Sequence, residues 1–318
     1  MTLLYTNPVW PGEFADPFVL KWGGEYYAYG TSSLLQDGRR FPVLHSPDLV
    51  HWQPLGNALE PLPHLPDGNY WAPEVAARNG KFYLYFSAGE QGADETHRLH
   101  VAVADHPAGP FRTMNQLLPD EGFSIDAHPF RDPQDGRWYL FFARDFFDER
   151  VGTGLAAVPL ADDMIHAAGP AVTILRASAD WQIYERNRTI YGQTWEAWHT
   201  VEGPFVLWHE GQYFCLYSGG AWHSPEYGVS FGVAETVLGP YRDDWSSHGP
   251  SVLRAIPDIV PGPGHNSVVG GPDDQTLVMV YHAWDVAKTA RRMCIDPLVW
   301  TAEGPRCAGP TTTEQVLV

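Results

Sequence analysis

Gly24-Glu25-Tyr26-Tyr27-Ala28-Tyr29-Gly30 decides the fold, because the chain returns to the same theme along its whole length. The further copies read Gly80-Lys81-Phe82-Tyr83-Leu84-Tyr85-Phe86-Ser87, Gly136-Arg137-Trp138-Tyr139-Leu140-Phe141-Phe142 and Gly211-Gln212-Tyr213-Phe214-Cys215-Leu216-Tyr217-Ser218. A degenerate fifth is Thr276-Leu277-Val278-Met279-Val280-Tyr281-His282. In each, a turn residue opens an aromatic-rich run of strand character, and the copies recur every roughly 55–75 residues, the spacing of a four-stranded propeller blade with variable loops. A short apolar strand precedes each copy: Phe18-Val19-Leu20, Val75-Ala76-Ala77, His128-Pro129-Phe130, Phe205-Val206-Leu207 and Ser267-Val268-Val269. Strand, turn and strand make a β-hairpin. A third alternating strand follows in Leu99–Ala104 and Val229–Ala234, and Ala108-Gly109-Pro110-Phe111 closely matches Leu238-Gly239-Pro240-Tyr241. No 3.6-residue periodicity is sustained long enough for a major helix. The expectation is an all-β, five-bladed β-propeller, one domain over residues 1–318; a two-sheet sandwich does not explain so long a repeat.

Composition agrees with this and narrows the function. Apolar residues make up 44% of the 318, enough for a sizeable core, and the 14% aromatic content with 13 Trp suits both sheet packing and stacking on sugar rings. A net charge of −18 repels nucleic acid and anionic membranes, so neither is an expected partner; a neutral substrate is the simplest fit. Three cysteines, Cys215, Cys294 and Cys307, form no metal-type spacing and no even disulfide set. With no basic, apolar leader in Met1–Pro8 and no apolar run of membrane-spanning length, a cytoplasmic location is expected.

In a propeller the first strand of every blade lines the central channel, so residues at one phase of the repeat meet at one mouth. The residues just ahead of the five first strands are Asp16, Glu74, Asp126, Glu202 and His265. Any one of them is ordinary turn chemistry. Carboxylates grouped at one mouth push their pKa values apart, which keeps one protonated while another is ionised, as glycoside hydrolysis requires.

The motifs Phe14-Ala15-Asp16-Pro17, Trp71-Ala72-Pro73-Glu74, Ser124-Ile125-Asp126-Ala127-His128-Pro129-Phe130, Glu202-Gly203-Pro204-Phe205 and Gly262-Pro263-Gly264-His265-Asn266 resemble those of glycoside hydrolase family 43 from about Asn7 to the end. The resemblance implies a five-bladed propeller that hydrolyses arabinose- or xylose-containing oligosaccharides with inversion. It implies Asp16 as general base, Glu202 as general acid, and Asp126 as the carboxylate that orients Glu202 and raises its pKa. It also implies a calcium ion beside His265 in the central channel, bound largely through water, with no organic cofactor, and a sugar contact for Arg291, although Arg292 next door faces the opposite way in a strand. Trp71 is a sugar platform or a blade-packing residue, and Glu74 a subsite or structural carboxylate. His282 reads as core. Arg131-Asp132-Pro133 resembles the motif of retaining fructan-cleaving propellers, but Asp132 opens a hairpin turn past the first strand, and that reading is set aside.

The leading expectation is therefore an exo-acting hydrolase that releases terminal α-L-arabinofuranosyl or β-D-xylosyl units, with the long segment 176–200 walling the pocket. The alternatives are an endo-arabinanase and a non-catalytic glycan- or protein-binding propeller.

Overall fold

The computed structural model describes residues 3–32 and 36–317, so residues 1, 2, 33–35 and 318 of the expected domain lie outside the described residues. Its strands form five antiparallel blades. Blade I is Ala15–Trp22, Glu25–Thr31, Arg40–Ser46 and Gln53–Leu59, and blade II is Asn69–Arg78, Lys81–Gly89, Arg98–Ala104 and Arg112–Gln116. Blade III comprises Ser124–Arg131, Trp138–Phe146, Gly152–Pro159 and Val172–Leu175. Blade IV is Val201–His209, Gln212–Gly219 and Gly228–Ala234, and blade V is Gly264–Gly270, Leu277–Trp284, Arg291–Thr301 and Gly304–Cys307. The five first strands touch in a closed ring around the axis. The hairpins lie where the repeat placed them, and the only helical elements among the described residues are two short 3₁₀ turns, Asp94–Thr96 and Asp180–Gln182.

Each sheet face is aromatic and β-branched on both sides because both sides pack on neighbouring blades. Buried clusters accordingly sit between blades: Ala76, Tyr85 and Val101 meet Leu140, Phe142 and Val158 between II and III, while Tyr139 and Phe141 meet Val206 and Tyr217 between III and IV. One segment breaks the repeat. Ile183–Ile190 and Gln193–His199 form an extra hairpin, joined to blade III through a parallel pairing of Gly152 with His199.

The ring is closed by the two ends of the chain, Leu3–Tyr5 pairing antiparallel with Gln315–Leu317. The fully buried Asp296 of blade V is the knot beneath this closure. It accepts hydrogen bonds from the hydroxyls of Tyr5 (3.0 Å), Tyr281 (2.7 Å) and Thr311 (2.6 Å), from Asn7 Nδ2 (3.2 Å) and from the Thr311 amide (3.1 Å). One carboxylate thus ties both termini to the last blade. Replacing Asp296 by Ala orphans several buried donors, at about 1–3 kcal/mol for each that stays dry. The thermal midpoint of Asp296→Ala should fall by at least about 5 °C, and Asp296→Asn should fall less; midpoints within a degree of wild type would contradict this role.

Candidate active site

All five first strands carry the same irregularity at the same place. Their register with the second strand slips between Ala15 and Phe18, Trp71 and Glu74, Ile125 and His128, Glu202 and Phe205, and Gly264 and Ser267. Each slip is a bulge whose first residue is left-handed: Asp16 (φ 49°), Ala72 (47°), Asp126 (58°), Gly203 (57°) and His265 (47°). Those five are the true equivalents. The expected single phase is therefore corrected at two positions. Glu202 stands one residue before its blade's bulge, and Glu74 two residues after its own, because the extra residue shifts the pleat.

The correction decides which side chains reach the pocket. Asp16, Trp71, Asp126, Glu202, His265 and Arg291 line one cavity of about 270 Å³ at the channel mouth. Glu74 does not line it. Its Oε2 accepts a 2.7 Å hydrogen bond from His128 Nδ1, and His128 Nε2 accepts the Val206 amide (3.1 Å), so Glu74 braces blades II, III and IV together. Asp132 stays out as well, in its turn, with Tyr213 donating to it at 2.8 Å.

The three floor carboxylates sit in different electrostatic surroundings. Burial alone would raise the Asp16 carboxyl; it is overcome by the Arg291 guanidinium, donating from Nη1 to Oδ1 at 2.9 Å, together with His265 and His282. With His265 Nδ1 at 3.5 Å adding to the pull, Asp16 is held well below the usual carboxylate range. Asp126 is pushed well above that range by burial and by the charges of Glu202 and Asp16. Glu202 is pushed up to about 7 by burial and by Asp16, against the opposing hydrogen bond from Tyr227. One carboxylate is thus ionised beside a pair that retains a proton near neutrality, the division of labour that acid–base chemistry needs.

Their orientation is fixed by backbone. Asp126 Oδ2 accepts the Gly203 amide at 2.9 Å, immediately after Glu202. Gly203 needs both its left-handed φ and its missing side chain, since a Cβ there would come within 3.3 Å of the His265 ring. Arg291 is clamped by Trp222, whose ring centre lies 4.7 Å from the guanidinium carbon, while Arg292 turns away to Asp285 at 2.9 Å. Trp71 both lines the pocket and packs, stacked on His97 at 3.5 Å.

Two residues were not legible as site residues. His282, expected as core, is fully buried but accepts the Asp16 amide on Nδ1 at 3.1 Å. Tyr227 donates to Glu202 Oε1 at 2.7 Å. Its ring passes where a side chain of Gly264 would stand, 2.3 Å from a Cβ built there, so only the glycine admits it. The extra hairpin walls the pocket as expected, through Tyr184, Arg188, Ile190 and Trp198. Trp181 instead faces away, donating to the Ser246 carbonyl at 2.6 Å.

The calcium expected beside His265 meets a poor donor set. Among the described residues no group of three or more His, Cys, Asp or Glu side chains is arranged to hold a metal. Asp16 is taken by Arg291, and calcium prefers oxygen ligands. Among the described residues both polar atoms of the Asn266 side chain and Nε2 of His282 are buried without a protein partner, which suits water in the channel. A directly ligated calcium does not fit, and no chemistry is assigned to one.

Comparison with known proteins bears on this floor. Residues 5–305 match the model of "Glycosyl hydrolases family 43". The chain belongs to that family. It is 29% identical to a β-D-galactofuranosidase of Aspergillus niger, over 94% of this chain and 83% of that protein. It is 27% identical to an extracellular exo-α-(1→5)-L-arabinofuranosidase of Cellvibrio japonicus, over 91% and 84%. A solved thermostable family-43 glycoside hydrolase superposes with a TM-score of 0.84 at 33% identity, covering 98% of each chain. The five-bladed fold and the family expected from the motifs are thus those of this glycoside hydrolase.

The Tyr227 hydroxyl stabilises the ionised form of Glu202, so its removal should raise the Glu202 pKa further. In Tyr227→Phe, the carboxyl of Glu202 followed by ¹³C NMR should titrate about one pH unit higher than in wild type. An unchanged or lower midpoint would contradict the hydrogen bond's role.

Proposed function

We propose that this family-43 glycosidase is an inverting, exo-acting hydrolase that releases terminal α-L-arabinofuranosyl or β-D-xylosyl units from short oligosaccharides. The carrying observation is the unequal state of the floor carboxylates, one held ionised beside Arg291 and a pair that retains a proton near neutrality through burial and the charge of Asp16. In this reading Asp16 removes a proton from water as its oxygen bonds to the anomeric carbon. Glu202 passes its proton to the departing glycosidic oxygen as the carbon–oxygen bond breaks, so charge balances and configuration inverts. Asp126, kept protonated by burial and by the charges of Glu202 and Asp16, holds the Gly203 amide beside Glu202, while the charge of Asp16 helps to keep Glu202 protonated. Trp71 and Arg291 bound the sugar at the floor.

Exo action rests on the shape of the mouth. At about 270 Å³ the cavity falls just below the usual size of ligand sites, roughly 300–1,000 Å³. The hairpin stands on one side of it, and Arg188 comes within 3.9 Å of Asp94 from blade II. A pocket bridged in this way admits a chain end more readily than a polymer running through. A galactofuranosyl unit is the second reading, favoured by the Aspergillus niger relative. Its β-D ring has the hydroxyl arrangement of α-L-arabinofuranose with one further carbon.

Glu202→Gln should lower kcat on 4-nitrophenyl α-L-arabinofuranoside or β-D-xyloside by at least about 100-fold, the usual worth of general acid–base catalysis. The first sugar released, read by ¹H NMR before mutarotation, should have inverted configuration; initial retention would remove the base role of Asp16. Because Asp16 is ionised throughout and Glu202 must be protonated, kcat/KM should be flat below neutrality. Above about pH 7 it should fall roughly tenfold per unit. A profile level to pH 9 would contradict Glu202 as the acid.

A further inference from the structure

The cavity carries a second set of polar groups that hydrolysis does not use. Asp145 lies two residues beyond Ala143, which faces Ile125 at the floor, and so stands roughly 7 Å further along its strand toward the mouth. Its Oδ1 accepts the Thr153 hydroxyl at 2.9 Å and its Oδ2 the Tyr191 hydroxyl at 2.8 Å. Both donors come from its own blade and the added hairpin. Each oxygen keeps a further lone pair for a ligand hydroxyl.

Arg188 stands beside it on the same hairpin. Its guanidinium is held by rings rather than by hydrogen bonds, with Tyr184 at 4.7 Å and Trp198 at 5.2 Å from its central carbon. The nearest carboxylate oxygens, on Asp94 and Glu185, are 3.9 and 3.8 Å away, too far for a hydrogen bond. Among the described residues its donors have no hydrogen-bonded acceptor, although its side chain is only 17% exposed and it lines the cavity. None of its nitrogens is sealed from solvent, so they open onto the cavity, where ligand hydroxyls can replace water as their acceptors.

We propose that Asp145 and Arg188 form a second subsite, one that binds the hydroxyls of the sugar unit on the leaving-group side of the scissile bond. A carboxylate accepting from one hydroxyl and a guanidinium donating to its neighbour recognise a vicinal diol, and Ile190 and Trp198 give the ring an apolar flank. With Asp94 and Asp145 both at the rim and an acidic chain behind them, the unit bound is a neutral sugar. The subsite rests on the hydrolase reading and sharpens it: the substrate is an oligosaccharide whose second unit is gripped, so binding energy away from the reacting bond is available to the reaction.

The test compares α-1,5-linked arabinotriose with 4-nitrophenyl α-L-arabinofuranoside, whose leaving group has no diol. In Asp145→Ala and Arg188→Met the ratio of kcat/KM on the triose to that on the aryl glycoside should fall at least about tenfold. Tyr191→Phe, which removes only a hydroxyl, should move the ratio the same way by less. An equal fall on both substrates, or none, overturns the subsite. Calorimetric binding of arabinotriose and xylotriose to Glu202→Gln gives a readout without turnover, in which Arg188→Met should weaken the affinity for at least one of them about tenfold. If wild type cleaves neither arabinoside, the arabinosidase reading fails and calorimetry alone decides the subsite. Binding of neither triose, or binding indifferent to Arg188→Met, overturns it.

Discussion

The site depends on how each bulged first strand disposes of the amide that the bulge takes out of the ladder. In four of the five blades a side chain from the preceding blade accepts it. Thr31 Oγ1 takes the Ala72 amide at 2.8 Å, Asp126 Oδ2 the Gly203 amide, Ser218 Oγ the His265 amide at 2.7 Å, and His282 Nδ1 the Asp16 amide. Thr31, Ser218 and His282 occupy one position of the second strand, opposite the residue before the bulge. The equivalent residue in blade III is Ala143, which has no polar side chain, and there Asp126 itself supplies the acceptor. A carboxylate that lines the cavity is thereby locked by the same kind of bond that other blades make with a hydroxyl or an imidazole. Non-glycine residues in the left-handed region cost on the order of 1 kcal/mol each, and such strain persists only where the surroundings over-determine it. These blade-to-blade bonds are that over-determination.

Charge sorting follows from the geometry. Three carboxylates in one small cavity cannot all be ionised without a counter-charge, and the chain supplies one arginine at the floor, clamped by Trp222 against Asp16. Placing it at Asp16 rather than midway between the acids separates their pKa values. The two imidazoles beside Asp16, His265 and His282, are pushed below the usual histidine range by burial, against the pull of Asp16, and His282 gives the Asp16 amide its acceptor.

The repeat, the blade order and the residues gathered at the mouth were legible because aromatic strands and turn glycines recur with the blade period. The bulge was not legible. Period-2 alternation counts every residue, so one extra residue per strand placed Glu74 and Glu202 at the phase of Asp16, whereas the pleat sends Glu74 to His128 and Glu202 to the cavity. Gly203 and Ala72, the two small residues at the true phase, carry no chemical signal in a sequence. Tyr227 was hidden for another reason: its place beside Glu202 comes from an absent side chain at Gly264, a contact between blades that no local pattern encodes. Alternation did separate Arg291 from Arg292, though not which of them faces the cavity.

The floor and the rim obey different constraints, and this separates chemistry from specificity. The floor carboxylates lie on first strands, where every blade must solve the same bulge, and moving Asp126 would leave the Gly203 amide of the next blade without its acceptor. Rim residues lie on the hairpin 183–199 and on blade III beyond its first strand; the hairpin is tied to blade III by the pairing of Gly152 with His199, by the Tyr191–Asp145 hydrogen bond and by the packing of Phe147 on Tyr191, Trp195 and Trp198. Changing the rim costs the propeller nothing in its closure or its bulges. A fold built in this way can hold one hydrolytic floor constant while hairpins of different length and polarity choose which sugar stands behind the bond to be cut.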